Sequence, residues 1–142
     1  MRWLCFVLAV VCVSCGGGSN PTAPSPPPPP PIAQISGAWI GTLTCTGCNT
    51  QAVRMTLSQT AGTVTGTWVN EQLGWAGNVS GTVDATSFTG TLTLNRATIC
   101  TGTSGSFSGT ASSSALRWSS AGFTGGNCPS PPSAVGLNLS KQ

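Results

Sequence analysis

The sequence predicts an all-β fold, an up-and-down antiparallel meander of about eight short strands closed into a barrel, with a two-sheet β-sandwich as the alternative. Three observations predict it. A five-residue motif recurs: an apolar or aromatic residue, Ser or Thr, Gly, usually Thr, then another apolar residue. It occupies Ile35 to Trp39, Val64 to Trp68, Val79 to Val83, Phe88 to Leu92 and Phe107 to Ala111. In an extended strand the first, third and fifth residues share a face, so each motif turns its apolar ends and its Gly inward and its hydroxyls outward. Elsewhere apolar residues alternate with period two, and no stretch carries a helical period. Finally, consecutive strands with one apolar face each would leave exposed edges in an open sheet, which closure removes.

Taken in order, the strands are expected at about Gly37 to Cys45, Gln51 to Gln59, Thr63 to Val69, Ala76 to Val83, Ser87 to Leu94, Gly105 to Ala111, Ala115 to Ser120 and Ala134 to Ser140. Alternation then points Trp39, Gly41 and Leu43 inward, followed by Val53, Met55 and Leu57, then Val64 and Trp68, then Val79 and Val83. Phe88, Leu92, Leu94, Phe107, Leu116, Trp118, Val135, Leu137 and Leu139 continue the set. An inward Gly costs strand propensity, and its use is to let a curved strand bend or to let a large side chain pack onto bare backbone. The glycines are unevenly spaced, as in unequal hairpins rather than a solenoid. Tight turns are expected at Thr60 to Gly62, Asp84 to Thr86 and Ser112 to Ser114, all at one end. Longer loops near Thr46 to Thr50, Asn70 to Trp75, Asn95 to Ser104 and Ala121 to Ser133 fall at the other. Function borne on loops would sit at that second end, although loops of this kind also serve simply to cap a core.

The first thirty or so residues stand apart from this pattern. Arg2 precedes an apolar run, Trp3 to Val13, too short to span a bilayer, and Ser14 is a small residue before Cys15. Gly16 to Pro31 is rich in Gly, Ser and Pro and ends in the run Pro26 to Pro31, which must be extended polyproline II and serve as a spacer. Small residue, Cys and a Gly/Ser/Pro tract after such a run resemble the lipobox of bacterial lipoproteins. Cys12 stands where that pattern usually has an aliphatic residue, and an ordinary secretory signal is the alternative. The resemblance implies residues 1–14 as a signal peptide, an acylated Cys15, a tether over 15–34 and a barrel over 35–142. It also implies attachment to the cell envelope by lipid, at the outer membrane if the host is Gram-negative, since Gly16 and not Asp follows the Cys. Two or three acyl chains, at about 0.8 kcal/mol per buried CH₂, would hold so small a protein on a membrane.

Composition narrows the chemistry. Charged residues are 5% of the chain, against about a quarter in ordinary soluble domains. Beyond the signal the charges are Arg54, Arg96, Arg117 and Lys141 against Glu71 and Asp84, too few and too scattered to track a phosphate backbone, so nucleic acid is not an expected partner. Histidine is absent from the sequence, which removes the commonest general base and metal ligand. A Ser-His-Asp triad cannot be built, and a carboxylate pair would require Glu71 and Asp84 to meet. The expectation is a non-enzymatic domain without cofactor or metal.

Cys45, Cys48, Cys100 and Cys128 remain once Cys5 and Cys12 leave with the signal and Cys15 is acylated. In an oxidising compartment they form two disulfides, for which the pairs Cys45 with Cys48 and Cys100 with Cys128 are favoured among three pairings. A thioredoxin-like use of Cys45 and Cys48 would need a helix that the sequence lacks, and a Cys₄ zinc site would need a second close pair.

Trp39, Trp68 and Trp118 are expected inside and Trp75 at the loop-rich rim. Small barrels of the avidin and lipocalin groups use tryptophans for packing and for ligand contact, and Gly66-Thr67-Trp68 is similar to strand motifs of the avidins. That resemblance implies a small barrel and does not extend to the avidins' polar ligand-binding set. Two uses remain open: a structural or interaction module of the envelope, meeting a protein partner, or a small-ligand binder using the rim and these four tryptophans.

Overall fold

The computed structural model describes residues 24–96 and 100–142. Eight strands follow one another: β1 (Gly37–Thr44), β2 (Gln51–Thr60), β3 (Thr63–Asn70), β4 (Trp75–Val83), β5 (Ser87–Arg96), β6 (Cys100–Ala111), β7 (Ala115–Gly122) and β8 (Ser133–Lys141). Each pairs antiparallel with the next and β8 returns to β1, so the meander is a closed barrel and the sandwich alternative falls. Most boundaries lie within two residues of expectation. The exception is β6, which begins at Cys100 instead of Gly105. Residues 101–104 show no apolar alternation; their pairing is imposed by β5, across a register shift between Leu94 and Arg96.

The register can be followed around the wall. From Thr60 the pairing partners run through Thr63, Thr82, Thr89, Ser108, Ser119 and Gly136 to Thr44. Leu43, beside Thr44, pairs with Gln51, so the path returns to the level of Thr50, just before β2 and ten residues from its start. Strand number and stagger together set tilt and diameter, and eight strands make an interior just wide enough to be filled by side chains.

It is filled. Every inward residue expected from alternation, from Trp39 to Leu139, is buried, the glycines excepted. Phe107 packs between Phe88, with ring centroids 4.8 Å apart, and Trp118, at 4.6 Å. The glycines fulfil both expected uses. Gly81 and Gly90 face each other across β4 and β5, where a Cβ on either would strike the neighbouring backbone, and the Phe107 ring lies over Gly90. At Gly77 the indole of Trp68 crosses the bare backbone, and its Nε1 donates to Thr93 O at 2.9 Å.

Outward positions carry a different chemistry. From β3 to β6 they read Thr63, Thr65 and Thr67; Asn78, Ser80 and Thr82; Thr89 and Thr91; then Ser106, Ser108 and Thr110. This wall is solvated through hydroxyls and amides, the reverse of a lipid-facing barrel with its apolar outer band. No described helix is long and apolar enough to cross a membrane.

Candidate functional site

The two ends of the barrel are built differently. At one, the turns after β2, β4 and β6 are tight, and the chain arrives from the exposed proline segment. Ile35 closes this mouth from below and is fully buried. It is held by Gln59, whose Oε1 accepts from Ile35 N at 2.8 Å and whose Nε2 donates to Ala33 O at 3.0 Å. Trp39 Nε1 donates to Ile35 O at 2.9 Å, and Ala33 N donates to Asp84 O at 2.9 Å. The proline segment therefore enters across this plain end.

The opposite end is the rim, and all four barrel cysteines lie there, as expected. Cys45 is bonded to Cys48 and Cys100 to Cys128, the favoured pairing. The first bridge closes the short connection after β1, where Cys48 N also donates to Cys45 O at 3.2 Å. The second pins the connection from β7 to β8 onto the start of β6. Ser104 and Thr124 exchange backbone hydrogen bonds of 3.0 and 2.8 Å along the same seam, and Asn127 Oδ1 accepts from Thr101 N at 2.6 Å. This strap carries Phe123 into the mouth, where its ring stacks with Trp68 at a centroid separation of 6.4 Å.

Phe123 thus mirrors Ile35, and each end has its own stopper. Sequence reasoning missed Phe123 because it lies past the last alternation, in a Gly-rich stretch with no period. The space left among Trp68, Trp118 and Phe123 is too small for a water molecule. Trp39, Trp68 and Trp118, candidates for ligand contact, are core residues at 0%, 3% and 4% exposure, and only Trp75 is half-buried at the rim. Three buried polar atoms have no partner among the described residues: Asn70 Nδ2, Thr103 Oγ1 and Trp118 Nε1. Asn70 is otherwise employed, its Oδ1 accepting from Leu73 N at 3.0 Å to shape the turn after β3.

The carboxylates do not meet. Glu71 belongs to the rim and pairs with Arg54 at 3.4 Å. Asp84 belongs to the plain end, with all of β4 between them, roughly 30 Å of strand at about 3.3 Å per residue. Asp84 Oδ1 accepts from Thr86 N and Ser87 N at 3.0 and 2.7 Å, and Oδ2 accepts from Ser87 Oγ at 2.7 Å. The Ser87 hydroxyl, followed by these backbone N–H groups, holds the Asp84 carboxyl below the usual carboxylate range. Both acids serve the architecture in these positions.

Compared with protein-family models, curated proteins and solved structures, the chain matches none. Met1 to Ser14, the acylation candidate Cys15 and the start of the tether lie outside the described residues.

Proposed function

We propose that this chain is a cell-envelope lipoprotein, anchored through acylated Cys15, whose barrel is a non-enzymatic structural or interaction module displayed on a proline stalk. The observation that supports the reading is polarity: the proline segment joins the barrel at its plain end, opposite the disulfide-braced rim. A rigid run of prolines at about 3.1 Å per residue holds that rim off the surface. Cross-linked loops suit an oxidising compartment, and a filled core with a hydroxylated wall suits a module that meets its partner on its outside. Capture of a small ligand among Trp39, Trp68 and Trp118 is not favoured, because Trp39 is fully buried and the space beside Trp68 and Trp118 does not admit a water molecule. Acid–base chemistry is left out because Glu71 and Asp84 stand at opposite ends.

Expression in a bacterium with radiolabelled palmitate tests the anchor. The expected result is a labelled band that Cys15→Ser abolishes, with an N-terminal peptide of diacyl or triacyl mass. A soluble product cleaved by an ordinary signal peptidase, with no acyl mass, would overturn the proposal in favour of secretion.

A further inference from the structure

Among the described residues, the outer wall bears a groove whose charge, on Arg117, is uncommitted. It runs over β6, β7, β8 and β1 as a shallow, open trough with a volume of about 380 Å³. Two adjacent rungs of the sheet form it. In one, Thr44, Gly136, Ser119 and Ser108 are successive partners; in the next, Thr42, Asn138, Arg117 and Thr110 are. Gly136 makes the hollow. It occupies an outward position, and a Cβ there would meet only the Thr44 hydroxyl, at 2.9 Å. Its missing side chain leaves a trough between Thr44 and Ser119, with Arg117 and Asn138 alongside.

We infer that this groove binds an acidic glycan, a saccharide whose carboxylate is received by Arg117 and whose hydroxyls are received by Thr42, Thr44, Ser119 and Asn138. Four considerations carry it. First, Arg117 is exposed and has no hydrogen-bond or ion-pair partner among the described residues, and the sequence holds only two carboxylates, one engaged by Arg54 and the other by its own turn. A guanidinium offers a planar fork that receives a carboxylate through two charge-assisted hydrogen bonds. Second, the outward side chains on its two rungs, Thr42, Thr44, Ser108, Thr110, Ser119 and Asn138, carry hydroxyls and an amide, which donate and accept as a polyhydroxylated ligand requires, around a floor that includes Gly136 and Leu137. Third, the closed barrel has no free edge, so a peptide cannot add as a strand, and no exposed aromatic or large aliphatic side chain in the groove would take its apolar residues. Fourth, three other hollows on the outer wall include Arg54, whose charge Glu71 already occupies. The inference goes beyond the anchoring role and does not depend on it.

The test is a titration of the ¹⁵N-labelled full chain in detergent, with three probes: a galacturonic acid trimer, the corresponding neutral galactose trimer and a hexaglutamate peptide. The expected result is saturable shifts at the amides of Thr42, Ser119 and Asn138 with the acidic trimer, and affinity at least tenfold lower for the neutral trimer and for the peptide. Arg117→Gln should lower affinity for the acidic trimer at least tenfold and Arg117→Lys by less, because the ammonium keeps the charge but not the fork. Gly136→Leu should abolish binding by filling the trough, and thermal unfolding reports whether that variant folds; Arg117→Gln, on an exposed residue, keeps the test decisive if it does not. Arg96→Gln, away from the groove, should change nothing. Shifts centred elsewhere, equal binding by Arg117→Gln, or equal binding of the hexaglutamate would each overturn the proposal.

Discussion

The two ends of this barrel solve one problem by different means. Both mouths must be sealed against water, and each receives one large apolar side chain, Ile35 at the plain end and Phe123 at the rim. At the plain end the seal is local and non-covalent: Ile35 lies four residues from the Trp39 indole that holds its carbonyl, and Gln59 straps the chain beneath it. At the rim the seal rides on a connection of ten residues between β7 and β8, and it is fixed by the Cys100–Cys128 bridge and the Ser104–Thr124 seam. Short turns close themselves, whereas a long one must be fastened. The difference teaches that the Cys100–Cys128 bridge is the counterpart of loop length, whereas Cys45–Cys48 braces a short connection.

That contrast can be broken from either side. The largest effect is expected from replacing Cys100 and Cys128 by Ala: the loop they close is long, and stability in urea should fall by about 3–4 kcal/mol, against about 2 kcal/mol for the Cys45 and Cys48 pair. Equal losses would show that loop closure is not what the bridges supply. At the plain end, Ile35→Ala should cost about 2–4 kcal/mol through a cavity under the core, with the same loss in reducing buffer as in oxidising buffer. Sensitivity to reductant there would erase the distinction between the ends.

A smaller, sharper comparison uses two indoles. Trp39→Phe removes the hydrogen bond to the Ile35 carbonyl and should destabilise by about 1–2 kcal/mol beyond the lost area. Trp118→Phe removes a buried N–H without a partner and should cost distinctly less, or stabilise, when melts are compared. The smallest effect concerns acid. Because the folded Asp84 carboxyl titrates below its usual range, its turn contributes stability above the ordinary Asp pKa, and this is lost as pH falls through the depressed value. Asp84→Ala should lower the melting temperature at neutral pH and flatten its decline as pH falls from the ordinary Asp pKa through the depressed value.

How much was legible beforehand depended on whether a residue's role was written in alternation. The strands and their inward faces were, since Val79-Ser80-Gly81-Thr82-Val83 and its relatives state face and curvature together. The ends of β5 and β6 were not: Thr101 to Ser104 owe their extended state to a partner strand and not to their own pattern. Phe123 was hidden for a related reason, being delivered by a strap whose course follows from a disulfide. The outer groove was least visible of all. Gly136 reads in the sequence as one more strand residue, and only the pairing of β8 with β1 and β7 sets Arg117, Asn138 and Thr42 on one rung. The proposed membrane attachment, by contrast, rests only on the N-terminal residues, where local composition carries the message.

Closure has a consequence for how the chain reaches its native state. β1 finds its second partner only in β8, where Trp39 pairs with Lys141 and Gln142 N donates to Ala38 O at 3.0 Å. Until the last residues are in place both flanking strands are bare, and the slowest contact to form is the one most distant in the chain. β8 is thus a latch: removing it should leave an open, adhesive sheet rather than a slightly smaller barrel.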